Sequence, residues 1–134
     1  MANPFFLSGS TPDDFEQPDN RRNLLPPCPD SPNCVRLNRS FNYEPDATLH
    51  AAKSVLEDMG AIKMNMLEDP LRISCVFRAF IFKDDFNLLI DPLDDDNSCV
   101  VHIRSASRVG HSDLGMNRRR VKRFLRKLET ELEE

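Results

Sequence analysis

A chain of 134 residues is long enough for one hydrophobic core and too short for two, so a single domain with a tail is expected. Hydrophobic residues make up 40% and charged residues 30%, ordinary globular values, and no run approaches the roughly 18 apolar residues of a membrane helix, so a soluble protein is expected. The formal charge of -4 conceals segregation: acids crowd Asp84 to Asp96 and Glu129 to Glu134, whereas Arg and Lys crowd Arg104 to Lys127.

In chain order, residues 1 to 45 hold eight of the ten prolines and show neither a helical nor a strand period, which predicts a disordered start over 1–23 and an ordered arm over 24–45 leading into one α+β domain, 24–134. The short Phe5-Phe6-Leu7 cluster, interrupted by Pro4, Ser8 and Gly9, falls short of the apolar stretch of about 7 to 15 residues in a secretory signal, so a cytoplasmic setting is expected unless a transit peptide has been removed. Four cysteines are few for a disulfide scaffold, and Cys75 and Cys99 lie in apolar runs. Cys28 and Cys34, separated by five residues of which two are prolines, leave open a disulfide, a shared metal, or a turn-rich arm docked by its cysteines, the last being the leading reading.

Asp46 is a plausible N-cap for a helix whose apolar stripe is Leu49, Ala52, Val55, Leu56 and Met59, ending at Gly60. Four alternating runs then predict strands at Ala61 to Leu67, Arg72 to Phe82, Phe86 to Asp91 and Cys99 to Ser107. A second helix is predicted from about Asn117 toward Glu134, with Val121, Phe124, Leu125, Leu128 and Leu132 in one stripe. The expected fold is an α-β-β-β-β-α two-layer sandwich: a four-stranded antiparallel sheet with both helices on one face, and the arm as a candidate fifth, edge strand. The opposite face would carry Lys63, Asn65, Arg72, Ser74, Val76, Arg78, Phe80, Phe82, Asn87, Leu89, His102, Arg104, Ala106 and Arg108. A wet basic face is the ordinary reading, and nucleic acid is not expected because the whole chain is acidic and lacks the usual signatures.

Two stretches are more specific: Cys28-Pro-Asp-Ser-Pro-Asn-Cys34, and Ile103-Arg-Ser-Ala-Ser-Arg-Val-Gly-His-Ser-Asp-Leu-Gly-Met-Asn-Arg-Arg-Arg-Val121. Together they resemble the domain-of-unknown-function family 1499, which lends no activity. Asn87 stands where that family's pattern has Glu, a residue that would pair with Arg104 across the hairpin, and His111 stands where it has an aromatic.

The chemistry of Ser105 to Arg118 points to an anion site: hydroxyls, guanidinium groups and free N–H groups of a helix start. The candidate residues are Arg104, Ser105, Ser107, Arg108, Ser112, Asp113, Asn117 and Arg118, with no catalytic residue, metal or cofactor assigned. Arg118 falls roughly 60° from the centre of the apolar stripe and is expected to reach back to the sheet, whereas Arg119, Arg123 and Arg126 point to solvent. The competing expectation is that Arg104, Arg108 and Arg118 pair with Asp84, Asp85 or Asp113 and pin the loop. The leading functional expectation is a non-catalytic domain that binds a small anion or a protein partner through the Arg104 to Arg118 loop. The alternative is a small hydrolase or transferase acting on a phosphorylated or carboxylated substrate, with His102, His111 or Asp113 as base. A scaffold would use Phe80 and Phe82.

Overall fold

The computed structural model describes residues 22–29, 33–79, 81–108 and 115–133. Seven elements follow one another: β1 (Cys34–Phe41), α1 (Pro45–Asp58), β2 (Ile62–Glu68), β3 (Leu71–Ala79), β4 (Phe82–Pro92), β5 (Cys99–Ser107) and α2 (Met116–Glu133). The five strands form one antiparallel sheet in the order β1-β5-β4-β3-β2. The predicted four-stranded meander is therefore extended by a fifth strand, supplied by the arm and paired with β5.

Alternation fills one face of the sheet with Val35, Leu37 and Phe41, Ile73, Cys75 and Phe77, Phe86, Leu88 and Ile90, and Cys99, Val101 and Ile103. Leu49, Ala52, Val55 and Leu56 of α1 and Val121, Phe124, Leu125 and Leu128 of α2 close over them. Phe86 sits at the centre, edge-on to both Phe77 and Phe124 at centroid distances of 5.8 and 5.2 Å.

Three local expectations differ from the structure. The N-cap of α1 is Glu44, without a side-chain cap bond, and Pro45 takes the first turn, where its missing N–H costs nothing. Gly60 does end that helix, at φ +94°. The β3–β4 hairpin turns after Ala79 instead of at Lys83 to Asp85, so β4 begins four residues early. That shift puts Phe82 in phase with Asp84 and Phe86, on the helix side, and Lys83 and Asp85 on the other face. Phe80 lies outside the described residues.

Candidate functional site

The last strand divides the expected anion site between the two faces of the sheet. Ser105 and Ser107 continue the phase of Val101 and Ile103 toward the helices, whereas Arg104 and Arg108 point to the opposite side. The described residues thus bring Ser105, Ser107 and Asn117 together and hold Arg104 and Arg108 away from them. Ser112, Asp113, His111 and Gly110 lie outside the described residues.

On the helix face, Asn117 at the start of α2 is fully buried and organises the junction. Its Nδ2 donates to Asn33 O and to Ser107 Oγ, both at 3.0 Å, and its Oδ1 accepts from Ser105 Oγ at 2.6 Å and Arg120 Nη1 at 2.8 Å. Arg120 Nη1 also lies 2.8 Å from Asp84 Oδ2, with side chains 7% and 2% exposed, and its guanidinium carbon stands 4.8 Å from the Phe77 ring centroid. Arg120, which lies farther from the stripe on the wheel than Arg118, reaches back to the sheet. The wheel ranked Arg118 nearer the stripe, but a stripe has two flanks, and Arg120's flank overhangs the carboxylate of β4. Negative charge at this spot is supplied by the chain's own Asp84, whose partner Arg120 is not one of the three arginines named for such a pair from the sequence.

On the opposite face the arm, residues 22–29, lies over β1 and β5. Asn23 Nδ2 donates to Leu37 O at 2.9 Å, Leu24 N to His102 Nδ1 at 3.4 Å, Arg36 Nη1 to Leu25 O at 3.0 Å, and Arg104 Nη2 to Pro27 O at 3.4 Å. His102, expected on a wet face, is consequently 1% exposed. A Cys28–Cys34 disulfide joins the arm to the start of β1, and both sulfurs pack on Ala106. Arg108 pairs with Asp85, its Nε 3.2 and 3.1 Å and its Nη2 2.9 Å from the carboxylate; that contact holds its proton more tightly than usual.

Arg104 has a different environment. Its direct cross-strand neighbours are Arg36 on β1 and Asn87 on β4, and the same row continues through Ser74 and Asn65. Arg36 and Arg104 form no ion pair with a described carboxylate, and the buried Arg104 Nε has no hydrogen-bond partner. Burial first, then the adjacent Arg36, push Arg104 below the ordinary arginine pKa, opposed by the more distant Asp85. Sequence reasoning missed Arg36, although Cys34, Arg36 and Asn38 alternate with Val35 and Leu37 in a strand-like way.

A family model described as protein of unknown function (DUF1499) matches residues 24–128. The chain belongs to that family. No curated protein and no solved structure matches it. The matched span runs from the arm to the last apolar turn of α2 and takes in both faces of β5. Asn87 lies directly opposite Arg104, so β4 places a neutral amide, not a carboxylate, beside that arginine.

Elsewhere, Arg119, Arg123 and Arg126 are exposed as expected and line an 860 Å³ surface groove between α2 and Ser54 to Asp58 of α1. Lys127 holds Asp58 there at 2.8 Å and keeps its carboxyl below the usual range. Among the described residues no group of His, Cys, Asp and Glu could hold a metal, and no helix is long and apolar enough to cross a membrane. The free thiols Cys75 and Cys99 are buried, and desolvation pushes Cys75 up to about 12 and Cys99 upward as well. Both are expected to resist iodoacetamide in the native protein at pH 8 and to react within minutes in denaturant, as counted by mass spectrometry; rapid native labelling of either would contradict their burial.

Proposed function

We infer that this is a non-catalytic domain that binds a small anion of the phosphate or carboxylate type, at the Arg36–Arg104 pair beside the arm. One observation carries the reading: two half-buried arginines are direct cross-strand neighbours, and among the described residues no carboxylate pairs with either. Like charges in that position repel, and arginines removed from water ordinarily take an acid partner. An anion held by both would supply the missing charge, with Asn87 and Ser74 as neutral donors in the same row. The site shares Arg104 with the stretch expected from the sequence and replaces its other members by residues of β1, β4 and β3. Support for a non-catalytic role comes from how the reactive groups among the described residues are used: Asp84 is paired, His102 is covered and the free thiols are buried.

The Cys28–Cys34 disulfide further supports an oxidising compartment over the cytoplasm, where such bonds are seldom kept.

The test is a titration of phosphate, sulfate and small carboxylates, following the arginine Nε–H signals of Arg36 and Arg104. Saturable shifts at millimolar anion are expected, and Asn87→Glu is expected to weaken them by about tenfold or more while stabilising the fold by roughly 0.2–1 kcal/mol, because the new carboxylate occupies the anion's place. Wild-type signals that stay fixed, or a variant that binds as well, would end the reading.

A further inference from the structure

The β3–β4 hairpin turns without Gly, Pro, Asn or Asp: its sequence is Arg78-Ala-Phe-Ile-Phe-Lys83. Such turns normally use residues that tolerate water and unusual backbone angles. Here Ile81 is 87% exposed, well above the other exposed large apolar side chains, Leu24, Leu67 and Tyr43. Immediately behind the tip Arg78 and Lys83 stand directly opposite each other, an unfavourable cross-strand pair. Lys63, on the adjoining strand at φ +52°, adds a third cation, and the crowd of Lys63, Arg78 and Arg108 holds Lys83 below its ordinary pKa. The nearest described carboxylate on this face, Asp85, is already bound by Arg108.

We propose that this hairpin docks the protein on the surface of an anionic lipid bilayer, with Ile81 entering the apolar boundary and Lys63, Arg78 and Lys83 seated among the head groups. Two liabilities in water, an apolar tip and a collar of mutually repelling cations, are relieved together there. At about 3.3 Å per strand residue the Arg78–Lys83 pair lies roughly 7 Å behind the tip, with the backbone of Lys63 farther back near Val76, and that depth is comparable with the roughly 5–10 Å to which interfacial elements sink. An acidic protein would answer the collar, but it would also need a pocket shaped for the tip, whereas a bilayer presents anionic charge and apolar depth in the observed order. This inference is independent of the Arg36–Arg104 site.

The experiment is co-flotation of the full chain with vesicles of phosphatidylcholine alone and of phosphatidylcholine mixed with phosphatidylglycerol. Because the chain has no tryptophan, Ile81→Trp gives a clean reporter whose emission is expected to shift to the blue only with the mixed vesicles. Each surface cation is worth about a fivefold change in partitioning, so Arg78→Gln with Lys83→Gln is expected to reduce binding by about 25-fold. Ile81→Ser should reduce it by about tenfold or more, with folding unaffected because the side chain is exposed. No flotation with mixed vesicles, or binding indifferent to Ile81→Ser, would overturn the proposal. Saturable binding of soluble polyglutamate with no vesicle binding would also overturn it and indicate an acidic protein partner.

Discussion

Arg120→Ala is expected to destabilise the protein by about 3–5 kcal/mol, since it strands the buried Asp84 carboxylate without its counter-charge. It also removes a donor from Asn117 Oδ1 and the cation from the face of Phe77. Chemical denaturation would measure the loss as a fall in the midpoint at unchanged slope. The single change should cost more than the double replacement Arg120→Met with Asp84→Leu, because that variant takes both charges out of the core together. Since the pair is shielded from solvent, added salt should leave the difference nearly intact. A loss below about 1 kcal/mol, the range of exposed ion pairs, would contradict the burial of this junction.

Removing the Cys28–Cys34 bridge by the double Ser variant is expected to cost about 2 kcal/mol, from the chain entropy released when a loop of this short span opens. Its more telling effect is local. The arm is tied down by the bridge and a few hydrogen bonds to β1 and β5, so without the bridge it should lift from His102 and Arg104 while the sheet stays paired. Faster backbone exchange at Leu24 and Leu25 with unchanged protection in β4 would verify this. Equal exchange in both forms would mean that the hydrogen bonds alone hold the arm.

Much of the framework was legible because two-residue and helical periods are direct consequences of burying one face. The stripes of α1 and α2, and the phases of β3 and β5, appear in the structure as the sequence predicts. The same phases, carried one step further, also contained the polar junction: Asp84 precedes Phe86, Leu88 and Ile90 by two, and Ser105 and Ser107 follow Ile103 by two and four. That signal was obscured because the apolar hairpin tip carries no turn residues, which moved the predicted turn onto Lys83 to Asp85. The Arg36–Arg104 pairing was not legible. Registering β1 against β5 joins segments about seventy residues apart, and no local pattern fixes such a partner. The contact of Arg120 with Asp84 likewise depends on which flank of α2 overhangs β4.

The sheet order has a consequence for how the molecule comes to exist. Among the described strands, the one that opens the domain, β1, pairs only with the strand made last, β5, so during synthesis it must wait for its place in the sheet until nearly the whole domain has left the ribosome. Closing so distant a pair is slow relative to joining the neighbouring hairpins. Assembly should therefore proceed from the β2-to-β5 meander outward, with the arm and its paired arginine arriving as the final act.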